Sequence, residues 1–508
     1  MKILTQLLAP FLLTLICIAQ LTQWIDPTNS DLARHLQNGQ LVLDGPSQDT
    51  WGVLRTNYYS YAAPDAPFVN HHWLTGVVFF LVWKLFSFPG LTVLYMALVA
   101  GSLVLAYWAA ARASNRWIAA ALAILSAPMV AWRFEVRPEA FTYLLLMVFY
   151  WILAEWFHGR SSARWLWVLP PLMCLWINLH VAFVFGFLLL GIFCIKVAVA
   201  DGFAWRSRLG LLCGISLAAT IAALANPSGL TGLLYPLGIL SKATRYPVAE
   251  FASLSVIRAR GLWAWEYELF VLLLLCSLVT IALRWRSVPR PDAALLLVLG
   301  SLAVMQVRSI PIFLLVMIPV LAGVLRAMVP VPVPAKRQKV VPSEPAWPRY
   351  ASAACVGVGL LCSLAVYRER SASAHLGLKP GTEAPVAFLR ANNIHGPIFN
   401  DFDIGGYLIF HLFPERVFVD GRPEAYPDGF FDKIYIPALS DDRVWQAQDE
   451  KYNFQTIVIS MQDGFPGVEE FILTRVRDEQ WAPVYADAYS IIFVRRTEAN
   501  TAVIEKYQ

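Results

Sequence analysis

Charge is scarce in this chain: Asp, Glu, Lys and Arg make up 15% of 508 residues, against about 25% in ordinary soluble proteins. The net charge of +5 is dispersed along the sequence, with no basic stripe of the kind that tracks a phosphodiester backbone, so no nucleic-acid partner is expected. Cysteine is equally uninformative as chemistry. Cys17, Cys174, Cys194, Cys213, Cys276, Cys355 and Cys362 all lie inside apolar runs with no CxxC spacing, which argues against a disulfide framework and a zinc ribbon and reads as small hydrophobes. No HExxH motif and no solenoid period is present, which removes the zincin and repeat-protein readings.

What is abundant is apolar side chain. At 58% hydrophobic residues and a mean hydropathy of +0.55, the chain exceeds what one soluble core could hide, so the expected class is a polytopic α-helical membrane protein. Runs of about 17–25 apolar residues fall near 5–24, 90–111, 116–132, 139–157, 164–178, 181–199, 208–225, 264–283, 292–307, 310–328 and 348–367, about eleven transmembrane helices. The N-terminal run, one Lys followed by an apolar stretch, lacks a clean small-x-small cleavage site and is expected to stay as the first span.

The run 72–88, "HWLTGVVFFLVWKLFSF", decides the topology. As a surface helix with Lys84 snorkelling, it leaves Arg112/Arg116, Arg160/Arg164, Arg206/Arg208, Arg284/Arg286/Arg290 and Lys336/Arg337/Lys339/Arg349 all on one side. The positive-inside rule makes that side cytoplasmic. The N-terminus is then cytoplasmic, and loops 25–88 and 226–263 and the C-terminal tail face outward. The expected organisation is a transmembrane domain over 1–330, a basic Pro-rich linker with the last span over 331–368, and a soluble α/β domain over 369–508. In that domain "GPIFND", "YLIFHL", "RVFVDG", "TIVIS" and "SIIFVRR" read as strands, and 383–392 and 466–478 as helices.

Polar residues gather at the outer ends of the spans, where burial of a charge is costly and hence informative. Asp31, Arg34 and His35 stand in "NSDLARHLQNG", Asn70, His71 and His72 in "VNHHW", and Arg133, Glu135, Arg137 and Glu139 in "RFEVRPE". Asn178 and His180 stand in "NLH", Asn226 in "NPSGL", Glu250 in "VAEF" and Arg308 in "QVRSIP". Structural roles compete at each. Asp31 could be a solvated acid in a helix capped by Ser30, Arg133 and Arg137 could pair with Glu135 and Glu139 or meet headgroups, and Asn226 could terminate a helix. A zinc site from His71, His72 and His180 is weak, because adjacent helical histidines diverge by about 100°. In the tail, "NDFDIGG" lacks the spacing of a calcium loop. Its glycines read as a close approach between strands, while Asp420, Arg422 and Glu424 read as a pairing set or an acceptor contact.

An acid in the loop after span one, then an amphipathic surface helix, then Arg137-Pro138 after span three: over about residues 5–330 this order resembles the GT-C glycosyltransferases. "DLARHLQNG", "PFVNHHWL", "RPEAF", "WINLHVAFVFG", "NPSGL" and "RVFVDGRPEAY" resemble, over nearly the whole chain, a set of bacterial membrane proteins similar to those enzymes. The resemblance implies sugar transfer from a polyprenyl-phosphate carrier to a glycan, lipid or protein acceptor at the outer face of a bacterial inner membrane. Asp31 matches the catalytic acid and would serve as general base. Substrate and phosphate would be bound by Arg34, His35, His71, His72, Arg133, Arg137, His180, Glu250 and Arg308, with the arginines best suited to the departing phosphate by their fixed charge and planar fork. Two departures are visible: Asp31 has no adjacent acid, and "NHHW" stands where many members have His-Pro. A divalent metal therefore lacks the paired-acid motif, and no cofactor is assigned. Two other readings stay open, a non-catalytic binder or assembly factor for lipid-linked glycans and a flippase of lipid-linked saccharides.

Overall fold

The structure, a computed structural model, describes residues 2–45, 47–133, 135–202, 208–243, 252–327, 347–462 and 467–508. It divides into two units: one formed by 1–23, 92–134 and 138–375, the other by 24–91, 135–137 and 376–508. Residues 328–346, and with them most of the basic Pro-rich stretch, lie outside the described residues.

The first unit is helical. Among the described residues six helices are long and apolar enough to cross a membrane, and Leu7–Leu21, Arg116–Val130 and Gly210–Ala223 are shorter apolar helices. The most enclosed is Ile310–Arg326, buried along nearly its whole length. Arg116–Val130, rich in alanine, is packed almost as closely, and Asn115 caps it by accepting from the Trp117 and Ile118 amides, each at 3.0 Å. The stretch 164–178 is a 3-10 turn, Ala163–Val168, followed by the helix Leu169–Leu179. Asn226 does terminate a helix: its amide donates to the carbonyls of Ala223 and Gly229 at 2.8 and 2.9 Å.

The helical stretch Trp73–Ala113 is two helices. Ser87 between them has φ 56° and ψ −163°, outside helical space, and Pro89 supplies no amide to continue the ladder. The helix 73–86 is thus a separate element, and it belongs to the second unit.

The second unit holds a four-stranded sheet in the order β1-β2-β4-β3, where β1 is Ile398–Asn400, β2 Thr456–Ser460, β3 Trp481–Ala486 and β4 Ser490–Arg495. β1 runs parallel to β2; β2–β4 and β3–β4 are antiparallel. Every residue of β2 is buried, as expected of an inner strand covered on both faces. Its core does not come from the tail alone: Leu41, Val53, Leu54 and Tyr59 of the first loop pack in one cluster with Ile398, Val458, Val484, Ile492 and Val494. The chain entries into the two parts are laced together, with the Ile25 amide donating to the Gly377 carbonyl at 2.8 Å and that of Lys379 to the Ile25 carbonyl at 2.9 Å.

Three expected strands, "GPIFND", "TIVIS" and "SIIFVRR", are β1, β2 and β4; helices Ala384–Ala391 and Val468–Val476 stand where expected. "YLIFHL" is instead the helix Gly405–Leu412. A short apolar run has no periodicity that separates strand from helix, and the close approach served by the glycine is at a helix start: a Cβ on Gly405 would lie 2.2 Å from the Val419 oxygen. "RVFVDG" forms only isolated bridges, from Val417 to Ser60 and to Ile398 of β1. β3 was not foreseen, since Pro483 sits within it; that proline coincides with a register irregularity, a place where a missing donor is tolerated.

Candidate functional site

Asp31 sits at the N-terminus of the helix Leu32–Leu43 without making a capping hydrogen bond. The Ser30 hydroxyl is buried with no protein partner, so Ser30 is not the cap that the sequence suggests. Asp31 accepts from Arg34 Nη2 at 2.9 Å, with side-chain exposures of 32% for the acid and 4% for the arginine. A buried, permanently charged guanidinium therefore holds a carboxylate that still meets solvent. Gly421 presses against that carboxylate: a Cβ there would stand 2.8 Å from Asp31 Oδ1, so a side chain at 421 would push Asp31 aside.

His35, one residue on from Arg34, is 2% exposed and packs edge-on against His72 with ring centroids 5.3 Å apart. His72 in turn lies 3.8 Å from the His71 ring centroid. Burial, helped by the charges of Arg34, His71, Arg137 and Arg422, lowers the His35 pKa well below its ordinary value and favours a neutral ring. The close crossing that places these rings is made by two glycines: a Cβ on Gly39 would sit 2.1 Å from the Gly76 oxygen, and one on Gly76 2.7 Å from the His35 oxygen.

Beside this group the tail contributes a buried ion pair. Arg422 Nε and Nη2 donate to Asp420 at 2.6 and 2.7 Å, and Nη2 also reaches Asn57 Oδ1 at 3.0 Å. Arg422 stacks over the rings of Phe68 and Tyr59, 4.8 and 5.5 Å from their centroids. Burial opposes the Asp420 charge, but the charge and hydrogen bonds of Arg422 outweigh it and hold the carboxyl below its ordinary pKa. Glu424, two residues on, is raised by burial, with the charge of Asp31 adding and those of Arg34 and Arg422 opposing. A second carboxylate thus lies within electrostatic reach of Asp31, contributed from a position that no local motif shows.

Four donors around these residues are buried without a protein partner: Arg34 Nε, Asn38 Nδ2, Asn57 Nδ2 and Arg422 Nη1. Each buried unmet polar group costs about 1–3 kcal/mol, so this polar interior suits water or an oxygen-rich ligand. Arg137 Nε donates to Glu135 at 2.6 Å in the same unit.

The remaining sequence candidates lie in the helical unit. Arg133 Nε stands 3.1 Å from Glu139 Oε1, both about one-tenth exposed. Trp176 Nε1 donates to Thr142 Oγ1 at 2.9 Å, and Thr142 lies 2.8 Å from His180 Nδ1, which also accepts from the Ala182 amide at 3.4 Å. Because the indole can only donate and His180 Nδ1 accepts, the chain of bonds runs one way and leaves His180 with its proton on Nε2. His180, Glu139, Tyr143 and Arg308 line one cavity of about 190 Å³. Arg308 lies in the turn Val307–Ser309 between two helices, as its flanking apolar runs imply. Glu250 lies outside the described residues.

The structure brings Asp31 to Arg34, His35 to His71 and His72, Arg133 to Glu139, and His180 to the cavity of Arg308. The sequence gives no sign of the partnership of Arg422 with Asn57, 365 positions earlier, nor of buried Glu266, whose charge reaches Arg370. Among the described residues no group of three or more His, Cys, Asp or Glu side chains is placed to hold a metal ion.

The fold is that of the GT-C glycosyltransferases. The chain is similar to the archaeal oligosaccharyltransferase AglB from Archaeoglobus fulgidus, solved in complex with an inhibitory peptide and a dolichol-phosphate: TM-score 0.59 and 11% identity, over 90% of this chain and 70% of that one. It is also similar to ArnT from Cupriavidus metallidurans bound to undecaprenyl phosphate, with TM-score 0.53 and 12% identity over 97% of this chain and 98% of that one. At such identities the likeness establishes the fold. No protein-family model and no curated protein sequence matches the chain.

Proposed function

We propose that the chain is an integral membrane glycosyltransferase that moves a sugar from a polyprenyl-phosphate carrier to a glycan, lipid or protein acceptor at the outer face of a bacterial inner membrane. The observation that carries this reading is Asp31: a carboxylate open to solvent yet held at 2.9 Å by a buried arginine, in a fold shared with proteins solved with dolichol-phosphate and undecaprenyl phosphate. In the proposed reaction Asp31 takes the acceptor proton as the acceptor attacks the anomeric carbon, and the bond to the carrier phosphate breaks with its electrons going to the phosphate oxygen. Arg34 orients Asp31 through the 2.9 Å hydrogen bond. Glu424 is the second carboxylate of this proposed site, where the linear sequence lacks a paired acid.

The buried donors of Arg34, Asn38, Asn57 and Arg422 support a hydroxyl-rich ligand in the second unit. In the helical unit Arg308 and the Nε2–H of His180 are assigned to a lipid phosphate in their cavity. Each assignment is testable by itself. Membranes containing the Asp31→Asn variant and supplied with a polyprenyl-linked sugar donor should lose transfer by about 10²-fold or more at unchanged expression. The Arg308→Gln variant should lose binding of the carrier phosphate. Wild-type transfer by Asp31→Asn would remove Asp31 from the mechanism.

A further inference from the structure

A second cavity, of about 1060 Å³, lies in the helical unit among the ends of helices that carry the short basic loops. Arg112, Arg160, Lys196, Arg284 and Arg290 line it, against one lining carboxylate, Asp292. Lys196 Nζ is held 2.8 and 3.1 Å from the two Asp292 oxygens with its side chain only 9% exposed, and it stands 4.7 Å from the Phe193 ring centroid. Arg112 and Arg160 share Glu155, each at 2.8 Å. Counting Glu155 as well, five cations face two carboxylates, so the site keeps a positive excess.

Apart from Tyr150, His158 and Ser287, the rest of the wall is apolar. Ile195 and Val199, 52% and 63% exposed, continue it outward along the helix Val184–Ala200, and Val320 and Val324 line it from Ile310–Arg326. Cations at one level of an apolar wall fit neither a soluble anion, which has no use for the hydrocarbon, nor a neutral lipid, which has no use for the charge. The loops that supply the four arginines are those that the positive-inside rule assigns to the cytoplasmic side, where anionic lipids meet basic pockets between helices.

We propose that this cavity is a binding site for one anionic glycerophospholipid of the phosphatidylglycerol class, its phosphodiester among Arg112, Lys196, Arg284 and Arg290 and an acyl chain along Ile195 and Val199. The site is separate from the residues assigned to sugar transfer, and its test reads binding alone. Purified full-length protein is titrated with phosphatidylglycerol or phosphatidylcholine in mixed micelles, and the bound lipid is counted by native mass spectrometry. Wild-type protein should retain one phosphatidylglycerol in preference to phosphatidylcholine. Arg284→Gln/Arg290→Gln should weaken that binding about thirtyfold, about 2 kcal/mol at roughly 1 kcal/mol per basic residue. Equal retention of the two lipids by wild-type protein would overturn the proposal whatever the variant does. Unchanged affinity in a folded double variant would also overturn it, and so would displacement of phosphatidylglycerol by equimolar undecaprenyl phosphate, which would make the cavity a carrier site.

Discussion

Replacing Arg422 by methionine should be the most damaging single change in the second unit. The guanidinium is 2% exposed and Asp420 is fully buried, and two bonds of 2.6 and 2.7 Å join them. Removing one partner of such a pair leaves an uncompensated buried charge, at about 3–5 kcal/mol. The loss is enlarged here because Asn57 Oδ1 and the faces of Tyr59 and Phe68 lose their partner too. For a unit of this size that corresponds to a fall of about 6–20 °C in its unfolding midpoint, readable by intrinsic fluorescence in detergent. The double variant Asp420→Leu/Arg422→Met removes both charges and should recover at least half of the loss. The pH dependence has a definite sign. The folded pKa of Asp420 is depressed, so the pair contributes its full stability above the unfolded value of about 3.9 and loses it as pH falls through the folded value; Arg422→Met should abolish that part of the acid sensitivity. A shift of less than about 2 °C in Arg422→Met, or a double variant as unstable as the single one, would refute the reasoning.

Three further outcomes follow from the same geometry. Gly39→Val should destabilise by about 3 kcal/mol or more, since its Cβ would stand 2.1 Å from the Gly76 oxygen; a Tm within error of wild type would contradict the close crossing. Tyr59→Phe removes the donor that Asn38 Oδ1 accepts at 2.8 Å and should cost about 1–3 kcal/mol in the same unfolding assay. His35 is held well below its ordinary pKa by burial, and His411 by burial at about 4. Both are neutral in the folded chain while the unfolded chain takes up protons below about pH 6.5, so stability should fall as pH drops from about 6.5 toward the folded values. His35→Asn should flatten that slope in a pH series of unfolding midpoints, and an unaltered slope would contradict it.

The longest apolar helices were readable because 17–25 residues of hydrocarbon leave little other choice, whereas the eleven expected spans stand against six helices of sufficient length and three shorter apolar ones among the described residues. β2 and β4 were readable because β-branched residues crowd both. The helix Gly405–Leu412 was not, since eight residues are too few for a period of 3.6 to show and its position depends on backbone contact with Val419. Asp31, Arg34 and His35 were legible as a polar group at the end of an apolar run, where charge needs a reason. Their surroundings were not, because those come from far along the chain: Gly421 against Asp31, Arg422 on Asn57, and Glu424 within reach of both charges. Local patterning finds a residue type in an unexpected place, whereas the partner that tunes it is set by tertiary packing.

The central claim is that Asp31 serves sugar transfer from a polyprenyl-phosphate donor, and the most direct measurement is transfer from a labelled undecaprenyl-phosphate sugar by membranes carrying wild-type or Asp31→Asn protein at matched levels. The account predicts measurable transfer with the wild type and a loss of about 10²-fold or more with the variant. Equal rates in the two, or no labelled product from any polyprenyl-linked sugar with the wild type, would contradict it.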